Sequence, residues 1–321
     1  MICNAENIHK LAEYLQARKA LFWYYYRVRI GLNTFLESSG FTDSELALVE
    51  QFRKYGAEVV ELAIVDPEQV TPSKVLEALQ ASGLEGPVLC GAFTPGRDLR
   101  GSNEAVLQAS TYISELIDLA QTLGAKVICG PMYSETGRVN AHSEDEREKQ
   151  LAQIAGALKP LCDQAASAGV VLALEPLNRF ETDCINTLEQ TVGLIERVGS
   201  PALKIHIDTF HMNIEEDDSA AAIVKYGKHI AHVHASASHR GLLGADQVDW
   251  NGVFGALEAI DYTGEVIIES FAMENKSLAK AASIWRQLYS NPEQLAVEGL
   301  AFLRKNLRRP VVLAKAQVSL L

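Results

Sequence analysis

No stretch of the chain holds the roughly 20 consecutive apolar residues that a bilayer-spanning helix requires, so no membrane association is expected. The most aromatic segment, Leu21 to Tyr26, is too short for the apolar region of a secretory signal and lacks a small-residue cleavage site. A cytoplasmic location is the resulting expectation. Cysteine is scarce: Cys3, Cys90, Cys129, Cys162 and Cys184 are odd in number, scattered and without a CxxC pair. That usage predicts reduced thiols rather than a disulfide framework. Basic residues are in deficit, with Lys+Arg 29 against Asp+Glu 41 and a formal charge of −12. A nucleic-acid partner favours a basic face, so none is expected. Also missing is any Pro/Gly/Ser-rich linker or run of one charge that would divide the 321 residues. With 48% hydrophobic and 22% charged residues, the chain reads as one globular domain able to bury a large core.

What is present is an alternation. Apolar strands are predicted around residues 30, 59, 88, 126, 171, 204, 230 and 265. Helical patterns separate them. Thr42-Asp-Ser-Glu45 is a capping box that opens a helix closed by Gly56, and Thr187-Leu-Glu-Gln190 is a second that opens a helix ending near Gly199. Longer helices are predicted over about 104–123 and 145–168, the second containing Pro160, and shorter ones over about 220–226 and 250–260. Glycines at 56, 124, 169 and 264 lead into apolar strands. Strictly alternating elements imply a parallel sheet, and eight repeats match a closed (β/α)8 TIM barrel better than two open sheets. The expected organisation is a barrel over 29–307, its last helix packed outside. An N-terminal helical extension over 1–28 and an apolar C-terminal tail over 308–321 flank it.

Four strands end in residues of one chemical kind. Val170-Val-Leu-Ala-Leu-Glu175 ends in a carboxylate, as do Lys204-Ile-His-Ile-Asp208 and Glu265-Val-Ile-Ile-Glu269, while Ile230-Ala-His-Val-His234 ends in an imidazole. In such a barrel the C-terminal strand ends carry the chemistry, so strands five to eight would bring these residues to one half of the mouth. A lone carboxylate at a strand end is an ordinary capping or ion-pairing group. Four ligand-type residues at matched ends of apolar strands would be costly without a shared partner. Three carboxylates and one imidazole form a hard site suited to Mn²⁺, Mg²⁺ or Co²⁺, with positions left for substrate oxygens. His232 lies on the same strand face as His234 but farther from the end, so it and His206 read as hydrogen-bonded interior histidines. His211 is placed in the loop after Asp208, within reach of a substrate, and Glu181 and Arg240 each stand six residues beyond a strand-end ligand.

These residues bear a resemblance. Leu174-Glu-Pro-Leu-Asn-Arg-Phe-Glu-Thr182, Asp208-Thr-Phe-His-Met-Asn-Ile-Glu-Glu216, His232-Val-His234 with Arg240, and Ile267-Ile-Glu-Ser-Phe271 resemble the ketose 3-epimerases, the D-tagatose, D-allulose (D-psicose) and L-ribulose enzymes of the xylose isomerase-like barrel superfamily. The ligand spacings of 33, 26 and 35 residues look like that family's own. Gly130-Pro-Met-Tyr-Ser134 with Gly137-Arg138 is a weaker match. The resemblance implies that Glu175, Asp208, His234 and Glu269 bind Mn²⁺ or Co²⁺. It also implies that Glu175 and Glu269 serve as the acid/base pair, and that Glu181, His211 and Arg240 hold the O1/O2 end of a free monosaccharide. A homodimer or homotetramer is the expected assembly. The chain departs from the family pattern at Ala235-Ser-Ala-Ser-His239, where an acidic or amide residue is common, and at Gly241-Leu-Leu-Gly-Ala-Asp-Gln247. The first three strand-to-helix loops are not distinctive, which leaves the ketose open. The alternative reading is another metal-dependent sugar or keto-acid isomerase, or an inosose dehydratase, on the same barrel.

Overall fold

Eight short strands pair side by side in chain order and close on themselves. The computed structural model describes residues 28–140, 143–271 and 276–307. The strands are β1 (Arg29–Asn33), β2 (Val59–Ala63), β3 (Val88–Cys90), β4 (Val127–Gly130), β5 (Val171–Leu174), β6 (Leu203–Asp208), β7 (Ile230–Ala235) and β8 (Glu265–Ile268). All neighbours run parallel, and β8 returns to β1 with Arg29 opposite Glu265 and Leu32 opposite Ile268. The predicted (β/α)8 TIM barrel is the observed fold. The expected helical extension up to residue 27 and the tail over 308–321 lie outside the described residues.

Period-two alternation gives each strand two buried faces and the molecule two cores. Outward residues such as Leu172, Leu174, Ile205 and Ile207 pack under the helices in the larger core. Inward residues form a smaller one, with Val59, Ala63, Val88, Cys90, Cys129, Ala173 and Ile267. The same rule puts Glu61 inward between Val59 and Ala63, and His206, His232 and His234 inward with Asp208. Polar side chains therefore fill much of the upper barrel interior.

The helices that wrap the barrel are α1 (Ala47–Tyr55), α2 (Pro72–Ser82), α3 (Asn103–Leu123), α4 (Glu144–Ala168), α5 (Leu188–Val198), α6 (Thr209–Glu215), α7 (Ser219–Tyr226), α8 (Trp250–Ala259), α9 (Lys276–Ala281) and α10 (Pro292–Leu307). Five of them, α1 to α5, end in a glycine with left-handed backbone: Gly56, Gly83, Gly124, Gly169 and Gly199. A side chain is disfavoured in that conformation, which is why glycine marks these helix ends. Gly264 does not follow the pattern, because Asp261, at φ 52°, takes the left-handed position after α8. Thr42 and Glu45 do bond each other, but the helix begins later, at Ala47. The Thr42 hydroxyl accepts the N–H of Ser44 rather than that of Glu45, so the box closes a turn ahead of the helix. Helix α2, with Pro72 in its first turn, was not anticipated by the sequence pattern. No helix of the described residues is long and apolar enough to cross a membrane.

Candidate active site

Strand register and pleat decide which side chains meet at the mouth. Asp208, the last residue of β6, is the direct register partner of His234 on β7. His234 pairs in turn with Ile267, so Glu269, two residues on and on the same face, rises beside it. Glu175 follows β5, where Leu174 pairs with Ile205. That stagger puts Glu175 level with His206, and the two meet at 3.6 Å. One ligand atom from each of Glu175, Asp208, His234 and Glu269 lies within 4.8 Å of the others, and all four residues are buried.

Charge in this volume is dense. Burial pushes the Glu175 carboxyl well above its ordinary range, and the neighbouring Glu269 and Asp208 charges add to the shift. Burial acts the same way on Glu269, but His234 and Arg240 beside it hold its carboxyl below the ordinary value. The two glutamates therefore differ: one retains a proton more readily, and the other gives its proton up more readily. Burial opposes a charge on His234, yet Glu61 and Glu269 raise it well above the usual histidine value. The His234 Nε2 lies 2.6 Å from Glu61 Oε1, while Nδ1, without a hydrogen-bond partner among the described residues, stands 3.5 Å from Glu269 and 3.9 Å from Asp208.

Arg240 is also buried, and it binds this carboxylate cluster directly. Its Nη1 donates to Glu269 Oε2 at 2.7 Å, Asp208 Oδ2 at 3.0 Å and Ser236 Oγ at 3.1 Å. The guanidinium lies over Phe210 and Phe271, 4.0 Å and 5.0 Å from their ring centroids, and the rings help to keep water from it. Its backbone is left-handed, at φ 62°, and Ser270 Oγ donates to its carbonyl at 2.7 Å. Burial works against its charge, but Asp208, Glu269, Glu181 and Glu175 raise its pKa further above the already high arginine value.

His211 lies in α6 rather than in a loop, because Asp208 caps that helix by accepting the N–H of Phe210 at 2.6 Å. The backbone N–H of Asn178 donates to His211 Nδ1 at 3.0 Å, and Nε2 faces Glu175 at 3.6 Å and Arg240 Nη2 at 3.2 Å. Burial lowers its pKa from 6.5 to about 3. The folded chain thus holds this ring neutral while the unfolded chain protonates it below its ordinary value. Stability linked to His211 is present above pH 6.5 and is lost as the pH falls toward about 3. His211→Asn should flatten the fall in melting temperature across that window, and an unchanged pH–melting curve would contradict this. Glu181 is half-buried, accepts from Asn178 Nδ2 at 2.7 Å, and has its carboxyl raised by burial against the pull of Arg240. The sequence-predicted Glu181, His211 and Arg240 are thus brought to the same rim as the quartet.

The two interior histidines differ in their nearest charge rather than in hydrogen bonding. His232 Nε2 lies 2.6 Å from Glu61 Oε2, yet like His206 it makes no well-formed hydrogen bond among the described residues. His206 was expected to be hydrogen-bonded, but neither of its ring nitrogens has a partner among the described residues. Burial, with the charges of its histidine neighbours, pushes it well below the ordinary value. The strand-end pattern did not single out Glu61, although a carboxylate in the middle of Val59-Val-Glu-Leu-Ala63 is a visible anomaly. Arg100 was also overlooked: fully buried, it bonds Ser134, Asp183 and the Arg138 carbonyl, tying the loops after β3, β4 and β5.

Comparison with known proteins agrees with this architecture. The family model for the xylose isomerase-like TIM barrel matches residues 49–306. The chain is 32% identical over 280 residues to a probable ketose 3-epimerase of Synechocystis sp., covering 87% of this chain and 96% of that protein. It is 33% identical over 262 residues to a ketose 3-epimerase of Arthrobacter globiformis, covering 81% and 89%. A solved D-allulose 3-epimerase from Methylomonas sp. superposes with a TM-score of 0.82 at 29% identity, covering 88% of this chain and 98% of that one. The chain belongs to the xylose isomerase-like TIM barrel family and, within it, to the ketose 3-epimerases, which are isomerases.

Proposed function

We propose that the protein inverts C3 of a free ketose of the D-allulose/D-fructose, D-tagatose or L-ribulose type, using a divalent cation held by Glu175, Asp208, His234 and Glu269. The observation that carries this reading is the convergence of those four buried side chains at the ends of β5 to β8. Three carboxylates packed this closely suit a cation beside Arg240 and His234. The unpartnered Nδ1 of His234 stands against two of them. The hard donor set fits Mn²⁺ first, with Co²⁺ or Mg²⁺ as alternatives. When bound, such a cation supplies Lewis-acid polarisation of the ketose oxygens, making the C3 proton acidic enough to leave.

The chain's own groups then move the proton. Glu269 takes the proton from C3 and leaves a planar enediolate. Glu175 returns a proton to the other side. The two arrive from strands separated by β6 and β7, and so approach the carbon from different directions. For the opposite epimer the roles exchange. Arg240, His211 and Glu181 hold the O1/O2 end of the sugar, while Phe210 and Phe271 keep water from the guanidinium.

The test is turnover of a panel of ketohexoses and ketopentoses in D₂O with Mn²⁺ present. The reading expects C3 epimers carrying one deuterium at C3. Aldose products, or epimers formed without deuterium, would contradict it. Light scattering of the same preparation tests the expected homodimer or homotetramer.

A further inference from the structure

Below the quartet, Glu61 reaches across the barrel from β2 to β7, two strands that are not neighbours in the sheet. It is fully buried, and four groups surround its two oxygens. Asn33 Nδ2 donates to Oε1 at 2.6 Å, and His234 Nε2 stands 2.6 Å from the same oxygen. His232 Nε2 lies 2.6 Å from Oε2, and Cys129 Sγ donates to it at 3.3 Å. Asn33 is itself fixed, because its Oδ1 accepts the N–H of Phe35 at 2.7 Å. A carboxylate held from both sides in this way cannot rotate without leaving a buried donor unpaired.

We propose that Glu61 is a positioning residue for the cation site, setting both the orientation and the tautomer of His234. A carboxylate only accepts, so the imidazole nitrogen facing it must carry hydrogen. That nitrogen is Nε2. The lone pair available for a cation is then on Nδ1, the nitrogen on the side of Asp208 and Glu269. Outer carboxylates that orient a ligating histidine in this manner are a general device of metal sites. The second histidine, His232, stands 2.6 Å from the other oxygen of Glu61; its ring lies 5.2 Å from that of His234, but it is not one of the four groups that meet at the mouth. This inference rests on the cation reading of the quartet, and the experiment separates the two.

The experiment is calorimetric titration of chelator-stripped protein with Mn²⁺, comparing wild type, Glu61→Gln and His232→Gln. A glutamine amide at 61 keeps the shape but can donate to His234 Nε2, driving the ring hydrogen onto Nδ1. Mn²⁺ affinity should fall about 10–100-fold in Glu61→Gln. In His232→Gln, which leaves the Glu61–His234 contact in place, it should stay within about threefold. Equal affinity in wild type and Glu61→Gln, or equal losses in both variants, would overturn the positioning role while leaving the cation site intact. A wild-type protein that binds no Mn²⁺ would overturn the cation reading and this inference with it. If Glu61→Gln does not fold, ¹⁵N-histidine spectra of wild-type protein loaded with diamagnetic Mg²⁺ decide. His234 should carry its hydrogen on Nε2, and a hydrogen on Nδ1 overturns the proposal.

Discussion

Glu269→Gln should lower the kcat for ketose epimerisation by about 10²–10⁴-fold, the range a positioned general base supplies. Glutamine matches the size of the side chain, and its carbonyl can still accept the Arg240 N–H that Glu269 takes at 2.7 Å. The barrel and the O1/O2 contacts should therefore survive. Loss of the charge also weakens the set around His234 Nδ1, 3.5 Å away, so the comparison must be made at saturating Mn²⁺. Deuterium uptake at C3 should fall in step with kcat. Full turnover by the variant would mean that Glu269 is not the base.

Arg240→Met should be the other severe change. Its guanidinium touches Asp208 and Glu269 in a volume almost closed to water. Removing one partner of a buried ion pair costs about 3–5 kcal/mol, because the other charge is left uncompensated. That cost should appear as a lowered melting temperature, and loss of the sugar contact should lower kcat/KM beside it. Arg240→Lys restores the charge without the planar fork, and without its stacking on Phe210 and Phe271, so it should recover only part of the loss. Measuring kcat and KM separately tests the assignment, since a residue that holds the sugar must raise KM. A variant with unchanged KM and kcat would remove Arg240 from the site.

The parts of this architecture that were legible in the sequence are those governed by local rules. Apolar runs ending in Glu175, Asp208, His234 and Glu269 mark strands whose ends emerge on one side of a barrel, and alternation along each strand gives the inward face. Glycine at 56, 124 and 169 marks helix ends because the left-handed backbone there disfavours other residues. What escaped depends on contacts between distant segments. Alternation turns Glu61 inward, but nothing in β2 says that the side chain will meet β7, which lies across the barrel. The Thr42 to Glu45 box misplaced a helix start because its hydroxyl settles on Ser44, a choice made by turn geometry rather than by residue type. His211 reads as a loop residue when Asp208 is counted only as a ligand, yet Asp208 also caps a short helix. The neutrality of that histidine comes from burial, which no local pattern records.

The central claim is that Glu175, Asp208, His234 and Glu269 act together on one cation that the reaction needs. Its most direct measurement is turnover during stepwise return of Mn²⁺ to chelator-stripped protein, with binding followed by calorimetry and Asp208→Asn run in parallel. The account predicts one site per chain, activity rising in proportion to occupancy, and affinity at least about tenfold weaker in the variant. Stripped protein that turns over at the full rate, or an Asp208→Asn variant that binds Mn²⁺ as tightly as the wild type, would contradict it.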